Sequence, residues 1–253
     1  MTIAVVMPAW NEAEGISEFI TELHDSLAQW EPTFFVIDDK STDNTAHTIQ
    51  GLEASGLPVT VHTNVENLGH GPSTFRALQA GLRTKADAII ALDGDGQFIG
   101  SDVNSVVSTL FSTGADVVEG VRRSRNDPLY RQAVSAITRT LVWSRARRWP
   151  VDANTPLRAY RPETLEFLLG RIPDSASTPN LLISAICRQA GLTIIELPVR
   201  SIPRRGSDQQ GSTWKAKSKS LPSKRFVKFC TQAAREWLST KPGTHRSSSP
   251  PQP

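Results

Sequence analysis

The chain has 253 residues, which is enough for one large domain or two small ones. With 38% apolar and 21% charged residues, it has the composition of an ordinary soluble protein. Its two cysteines, Cys187 and Cys230, exclude a disulfide framework, and no Cys/His group has zinc-site spacing. This cysteine usage fits a reducing, cytoplasmic environment.

The net charge of +3 is distributed unevenly along the chain. Residues 1–119 contain 4 Lys/Arg and 17 Asp/Glu, a net of −13, whereas residues 120–253 contain 24 and 8, a net of +16. A basic half is typical of proteins that bind nucleic acid, an anionic membrane or a phosphorylated substrate. The acidic half argues against a nucleic-acid partner. Carboxylates for a metal in one half and cations for phosphates in the other would account for both.

The N-terminus begins with a strand-like run at Ile3–Met7 and has no basic region or apolar core of a signal peptide. No apolar stretch approaches the roughly 20 residues that a membrane-spanning helix needs. We therefore expect no signal peptide and no transmembrane helix. The expected location is cytoplasmic, either soluble or peripheral at the inner face of a membrane.

The first 120 residues alternate between strand and helix patterns. Short apolar runs predict five strands, at residues 3–7, 34–37, 59–61, 88–92 and 116–118. After each of the first four strands, apolar residues at helical spacing predict a helix. This alternation predicts an α/β fold with a mostly parallel central sheet and helices on both faces.

The second half is less regular, with helices predicted at residues 130–148 and 180–190 and a strand at 193–197. Residues 201–220 are polar, basic and contain glycine, which predicts a mobile basic loop. We interpret residues 1–222 as a single domain.

Two segments follow this domain. Residues 223–239 have apolar positions at helical spacing, which predicts an amphipathic helix. That helix would pack either on its own domain or on a membrane surface. Residues 240–253 are rich in Ser and Pro and predict a disordered tail.

Two aspartates one residue apart, Asp93 and Asp95, follow the apolar strand at 88–92. The carboxyl ends of such strands are where open α/β sheets bind ligands. The two carboxylates and the amide oxygen of Gln97 are hard ligands suited to Mg²⁺ or Mn²⁺, which would bridge to a diphosphate. A polar, glycine-rich turn without a metal is the alternative, because such triplets also occur by chance.

Two further polar clusters follow predicted strands: Pro8-Ala9-Trp10-Asn11-Glu12 after the first and Asp38-Asp39 after the second. Turn chemistry accounts for any one cluster, but less readily for three that converge on one sheet edge. Their carboxylates would repel one another unless a cation or a hydrogen-bonding ligand were present. A ribose or a base is such a ligand. Trp10 would pack near that base or serve only as a strand-end aromatic.

These motifs resemble the family 2 glycosyltransferases of GT-A fold (nucleotide-diphospho-sugar transferases), above all the dolichyl- or polyprenyl-phosphate mannose synthase type. The resemblance is carried by residues 6–12, 36–45, 67–69 and 92–97. It implies that Asp93, Asp95 and Gln97 hold a divalent metal, Mg²⁺ or Mn²⁺. It also implies that a set of strand-end residues binds the nucleotide, namely Pro8, Ala9, Trp10, Glu12, Asp39 and Asp93.

Beyond residue 120 the resemblance is weaker. It implies catalytic roles on the diphosphate or the nucleophile for Arg122, Arg131, Asp152 and Arg205. It implies acceptor or phosphate binding by Arg158, Arg161 and Ser207. The chain departs from the family pattern at three positions, with Trp10 for Tyr, Pro156 for Gly and Asp208 for Lys.

The implied activity is transfer of a hexose from a GDP- or UDP-sugar to a polyprenyl phosphate, with inversion. Residues 1–119 would then form the sugar-nucleotide half of the domain and residues 120–222 the acceptor half. A phosphate acceptor is already anionic, whereas a hydroxyl acceptor needs a base, for which Asp152 is the candidate. Three alternatives remain open: transfer to a saccharide or other hydroxyl, nucleotidyl transfer, and a non-catalytic binding module.

Overall fold

The computed structural model describes residues 1–122, 129–206 and 236–237, and for residues 129–133 it describes the backbone alone. Its strands are β1 (Ile3–Ala9), β2 (Pro32–Asp38), β3 (Val59–Thr63), β4 (Ala88–Ala91), β5 (Val117–Arg122), β6 (Arg158–Tyr160) and β7 (Ile194–Val199). Its α-helices are α1 (Ile16–Leu27), α2 (Thr45–Ala54), α3 (His70–Leu82), α4 (Gly100–Thr113), α5 (Leu129–Ala146), α6 (Pro162–Leu169) and α7 (Pro179–Gln189). A 3₁₀ turn, Ala28–Trp30, follows α1.

The seven strands form one sheet in the order β3-β2-β1-β4-β6-β5-β7. All neighbouring strands are parallel except β6, which is antiparallel to both β4 and β5. The chain builds outward from β1 to β3 and then returns to place β4 on the other side of β1. The strand order therefore reverses between β1 and β4, and open α/β sheets bind ligands beyond the carboxyl ends of strands at such a reversal.

Helices cover both faces of the sheet, because alternate residues of each strand point to opposite sides. On one face, Val5 and Met7 of β1 pack with the apolar stripes of α1 and α4. On the other face, Val6 of β1 packs with residues of α3, α6 and α7. The stripe of α1 has the helical spacing expected from the sequence, and its buried residues are Ile16, Phe19, Ile20, Leu23 and Leu27.

The predicted α/β architecture, with a mostly parallel sheet and helices on both faces, is confirmed. The structure adds two elements that the sequence reading did not predict, the three-residue strand β6 and the two-turn helix α6. Both are short, so their periodicity is weak. The predicted helix at 223–239 lies outside the described residues except for 236–237, as do the tail at 240–253 and most of the loop at 201–220.

A buried ion-pair network joins β5, β6 and α7. Arg158 Nε lies 3.0 Å from Glu119 Oε1, and Arg188 Nη2 lies 2.7 Å from Glu119 Oε2. The side chains of Glu119 and Arg158 have no exposed surface. Arg158 Nη1 also donates to the Asn180 carbonyl at 3.0 Å. Since water reaches neither charge of the Glu119–Arg158 pair, each depends on the other for compensation.

We predict that Arg158→Ala lowers the free energy of unfolding by about 3–5 kcal/mol, because it leaves Glu119 buried without one of its two counter-charges. Urea unfolding followed by circular dichroism would measure this loss. The matched control is Arg200→Ala, which removes the exposed ion pair to Asp102 and should cost far less. Equal losses in the two variants would contradict the buried network as a main determinant of stability.

Candidate functional site

The candidate site lies at the carboxyl ends of β1 and β4, where the strand order reverses. Glu12 follows β1, and Asp93 and Asp95 follow β4. Because β1 and β4 are adjacent parallel strands, these three carboxyl groups meet at one edge of the sheet. We call this edge the acidic rim. The structure thus brings Glu12, Asp93 and Asp95 together at one edge, as the sequence predicts.

Glu12 is held at the acidic rim by its backbone and by an arginine. Its N–H donates to Thr45 Oγ1 at 2.8 Å, at the start of α2. Both oxygens of its carboxylate bind one edge of the Arg204 guanidinium, with Arg204 Nε at 2.9 Å from Oε2 and Nη2 against Oε1. Glu12 is 8% exposed, so this paired contact takes place largely out of water.

The turn that carries Asp93 and Asp95 is packed closely against β1. Gly94 N–H donates to the Pro8 carbonyl at 3.2 Å, and a side chain at position 94 would lie 2.9 Å from that oxygen. Gly96 has φ +69°, a backbone conformation that glycine adopts without strain. Asp95 Oδ1 accepts from Gln97 N–H at 3.2 Å. The two glycines thus fix where the carboxylates project.

Keeping the buried carboxyl groups of the acidic rim ionised costs free energy. Burial raises the pKa of Glu12 to about 7, although Arg204 opposes the shift, and Asp95 and Asp93 add to it by repulsion. Burial, together with repulsion from Asp93, raises the pKa of Asp95 to about 6. Arg204 and Arg122 partly offset that shift. The rim therefore favours any added positive charge.

This environment suits a divalent cation. Within the described ranges, no group of three or more His, Cys, Asp or Glu side chains is arranged to hold a metal ion. Asp93 and Asp95 offer hard oxygen ligands, and Mg²⁺ in particular is commonly held by one or two carboxylates plus substrate phosphates. Gln97 lies beside them, and its side-chain amide donates to the Ile202 carbonyl at 3.4 Å. The donor set thus fits a metal that shares its coordination with a bound diphosphate.

Arg204 was not among the residues singled out from the sequence, yet it is the arginine that binds the acidic rim. The expected residue, Arg205, turns instead toward α1, where Nη1 lies 3.0 Å from Glu18 Oε1 and Nη2 binds Glu22. Its Nε donates to the Gly96 carbonyl at 3.2 Å. The role expected for Arg205, on the diphosphate, stays a prediction. The adjacent pair Arg204-Arg205 was the only available signal, and the sequence does not say which of the two faces the site.

Arg122 and Asp152 form a second charged group. Arg122 ends β5, and its Nε and Nη2 donate to Asp152 Oδ2 at 3.2 and 3.0 Å. Asp152 Oδ1 also accepts from Asn154 N–H at 3.1 Å. Since β5 runs parallel to β4, Arg122 lies at the same edge of the sheet as Asp95. The structure therefore places both of these predicted residues near the site, in contact with each other.

Asp39 is bound mainly to its own protein. Its Oδ1 accepts from Leu68 N–H at 2.8 Å and from Asn64 Nδ2 at 2.9 Å, and its Oδ2 accepts from Gly69 N–H at 2.8 Å. Asp39 is 4% exposed. A carboxylate has about four acceptor positions, so roughly one remains for a ligand. Asp39 anchors the turn at residues 67–69 as well as being a candidate ligand residue.

The remaining residues predicted to bind the nucleotide lie at the end of β1. Pro8 and Ala9 are buried in the strand and present backbone, since the Pro8 carbonyl accepts from Gly94 and the Ala9 carbonyl accepts from Asp39 N–H at 2.8 Å. Trp10 is partly exposed at the strand end. Trp10 is therefore the member of this segment with a side chain accessible to a base.

Two arginines assigned to acceptor or phosphate binding lie elsewhere. Arg158 is fully buried in the ion pair with Glu119, which removes it from any accessible acceptor site. Arg161 follows β6, whose reversed direction carries it to the opposite edge of the sheet, where its Nε donates to the Ala115 carbonyl at 3.0 Å. Both assignments are corrected by these positions. The Arg131 side chain and Ser207 lie outside the described residues.

Comparison with known families gives the class of the protein. Residues 4–169 match the model of the family described as glycosyl transferase family 2. This match covers more than half of the chain, so the chain belongs to glycosyl transferase family 2. The family expected from residues 6–12, 36–45 and 92–97 is confirmed.

The chain is also similar to proteins from Salmonella. The chain is 30% identical over 217 residues to undecaprenyl-phosphate 4-deoxy-4-formamido-L-arabinose transferase of Salmonella choleraesuis (strain SC-B67). The aligned region covers 83% of this chain and 62% of that relative. The same values hold for the protein of that name in Salmonella paratyphi B (strain ATCC BAA-1250 / SPB7). The chain thus spans under two thirds of the length of these relatives.

Solved structures share the fold. Mannosyl-3-phosphoglycerate synthase from Rubrobacter xylanophilus superposes with a TM-score of 0.65 at 17% identity, covering 94% of this chain and 73% of the other. Glucosyl-3-phosphoglycerate synthase from Mycobacterium tuberculosis, in complex with Mn²⁺, UDP and glucosyl-3-phosphoglycerate, gives 0.57 at 22% identity, covering 82% and 73%. The GT-A fold expected from the resemblance is confirmed.

The raised pKa of Glu12 predicts a pH dependence of stability. Between its ordinary pKa of 4.5 and about 7, the folded state keeps a proton that the unfolded state loses, so the free energy of unfolding falls as pH rises. We expect Glu12→Gln to make this fall shallower by about 0.5–1 kcal/mol per pH unit. Urea unfolding from pH 5 to 8 in chelator-containing buffer would measure the slope.

Glu22→Gln provides the control for that slope. Burial acts to raise the pKa of Glu22, but hydrogen bonds from Gly100 N–H and Arg205 outweigh it and hold the pKa below 4.5. The stability that Glu22 contributes is therefore lost only at more acidic pH, and its variant should keep the wild-type slope above pH 5. A Glu12→Gln slope equal to that of the wild type would contradict the assignment.

Proposed function

We propose that this glycosyltransferase moves a hexose from a GDP- or UDP-sugar to a polyprenyl phosphate, with a divalent metal on the donor diphosphate. The observation that carries the proposal is the acidic rim itself, with Glu12, Asp93 and Asp95 gathered at the strand-order reversal. A nucleoside supplies hydroxyl and N–H donors to such carboxylates, and a metal compensates their charge. Inversion at the anomeric carbon is the expectation from the family resemblance.

The nucleotide would bind along the end of β1. Trp10 offers a partly exposed aromatic surface to the base, and Glu12 and Asp39 offer carboxylate acceptors to the base or ribose. Solved proteins of the same fold support this class of donor, since one was crystallised with Mn²⁺ and UDP and another, from Pyrobaculum calidifontis, with GDP-Man and Mn²⁺.

Asp93 and Asp95 would hold the metal, with Gln97 as the neighbouring candidate ligand. A bound Mg²⁺ or Mn²⁺ supplies positive charge that stabilises the negative charge growing on the leaving nucleoside diphosphate. Arginine is suited to the same task because its planar fork binds phosphate through two hydrogen bonds. Arg122 and Arg204 both lie close enough to Asp95 to lower its pKa, so they are the candidates to bind that diphosphate.

The acceptor assignment rests on chemistry and on relatives. A phosphate monoester is anionic near neutral pH and attacks without a dedicated base. The carboxylate best placed to act as a base, Asp152, is engaged by two nitrogens of Arg122. The Salmonella relatives bear the name of undecaprenyl-phosphate transferases, which supports a lipid phosphate over a hydroxyl acceptor.

We predict that Asp95→Asn reduces sugar transfer by at least about a hundredfold, because the metal loses a charged ligand. A thermal-shift panel of GDP- and UDP-sugars, with and without Mn²⁺, should show a metal-dependent rise in melting temperature that the variant lacks. The matched control is Asp25→Asn on α1, where Asp25 is 75% exposed and contacts His24. Wild-type turnover in Asp95→Asn would contradict the metal site.

We predict that Asp152→Asn lowers transfer by less than about tenfold and keeps the pH–rate profile, because a phosphate acceptor needs no base. Loss of a true general base would cost about 10²–10⁴-fold and remove one limb of that profile. Radiolabel from the donor sugar should partition into an organic extract with polyprenyl phosphate. Label that stays with a water-soluble saccharide, together with a large Asp152→Asn loss, would favour the hydroxyl-acceptor alternative.

A further inference from the structure

The segment from Ile137 to Val151, which includes the end of α5 and the turn that follows it, carries exposed apolar side chains. Four large apolar side chains are exposed there: Ile137 (60%), Trp143 (40%), Trp149 (49%) and Val151 (52%). In the described part of the chain, the other exposed large apolar residues are Met1 and Val65. The exposed apolar residues are therefore concentrated in one short segment. We use the name Trp–Arg patch for these four residues together with three arginines, Arg139, Arg147 and Arg148.

The aromatic and basic side chains of the Trp–Arg patch are layered on one another. The rings of Trp143 and Trp149 meet edge to face, with centroids 5.9 Å apart and planes at 63°. The guanidinium of Arg139 lies 5.4 Å from the centre of the Trp149 ring, and that of Arg147 lies 5.2 Å from Trp143. Arg139 Nε also donates to the Pro150 carbonyl at 2.9 Å. These contacts hold both indoles at the surface.

The charge of this segment has one sign. Residues 129–151 contain five arginines and no Asp or Glu. Indoles flanked by cationic side chains match the boundary between lipid headgroups and acyl chains, where the ring enters the interface and the cation meets anionic headgroups. A symmetric pair of copies would bring like charges together across the same surface, which opposes self-association through it.

We propose that the Trp–Arg patch binds the surface of an anionic lipid bilayer. This inference deepens the proposed function, because it assigns a contact surface for a transferase that uses a lipid-phosphate acceptor. Val151 is followed directly by Asp152, which pairs with Arg122 at the edge that carries the acidic rim. Membrane contact through the patch would therefore bring the lipid headgroups beside the candidate site.

The sequence also offers residues 223–239 for this contact. Of its two described residues, Trp237 is 6% exposed and packs in the core with residues of α5 and α7. Arg145 covers the Trp237 ring at 4.2 Å and donates to its carbonyl. Glu236 accepts from Ser177 N–H at 2.9 Å. At these two positions the chain packs on its own domain, so we place the membrane contact at the Trp–Arg patch.

The test is flotation of the full chain with vesicles of mixed phosphatidylglycerol and phosphatidylcholine, with pure phosphatidylcholine vesicles as the comparison. No donor or acceptor is present, so failure of this inference is separate from failure of the transferase proposal. We expect the wild type to float with the anionic vesicles and to be released as salt rises. Absence of flotation with anionic vesicles would overturn the proposal.

Two double variants separate the contribution of the arginines to vesicle binding from that of the indole rings. Arg147→Gln with Arg148→Gln should weaken partitioning roughly fivefold for each arginine removed. Trp143→Ala with Trp149→Ala should weaken binding without changing its salt dependence. The matched controls are Arg83→Gln with Arg171→Gln, two exposed arginines elsewhere, and Val65→Ser. Equal losses in the controls and in the patch variants would contradict the assignment.

A second measurement uses milder substitutions, so that it still tests the proposal when the alanine variants fail to fold. Quenching of tryptophan fluorescence by brominated phospholipid should fall in Trp143→Phe with Trp149→Phe and persist in Trp30→Phe, since the Trp30 ring, in the turn after α1, stacks on Phe111. The reverse result would overturn the proposal, as would a dimer in sedimentation velocity that the patch variants abolish. Retention on RNA in place of vesicles would also overturn it.

Discussion

Repulsion between carboxylates is the constraint on which the site depends. The strand-order reversal between β1 and β4 brings Glu12, Asp93 and Asp95 to one edge, and burial raises the pKa of two of them. Arg204 supplies a counter-charge from the segment that follows β7. A metal and a nucleotide would complete this compensation, so the same electrostatic imbalance that costs stability favours ligand binding.

The buried ion-pair network inside the sheet compensates its charges in a different way. Glu119 and Arg158 lie on neighbouring strands and neutralise each other without water, and Arg188 adds a second cation that also reaches Glu196. Glu196 in turn accepts from Val151 N–H at 2.7 Å, next to Asp152. The buried network thus supports the turn from which Asp152 reaches Arg122, and it links the core to the edge of the site.

Long periodic elements were predictable from the sequence, and so was the gathering of Glu12, Asp93 and Asp95, because strand ends in a parallel sheet must meet. Two features were not. β6 has three residues, too few for a pattern, so Arg158 and Arg161 were read as acceptor contacts although one is buried and the other faces the opposite edge. Arg204 and Arg205 are chemically identical neighbours, and their directions depend on Glu12, Glu18 and Glu22. The position of β6 and the directions of the two arginines are determined by contacts between residues that are far apart in the sequence.

The reversed direction of β6 has a consequence for how the enzyme can vary. Every parallel strand delivers to the acidic rim the residues that come after it, whereas β6 delivers the residues that come before it. The stretch from α5 to β6 is therefore anchored at the rim by its final residues. Lengthening or shortening that stretch would change the surface that carries the exposed indoles without moving Asp93 or Asp95. In the transferase we propose, the surface that presents the acceptor could therefore vary while the carboxylates on the donor side stay fixed.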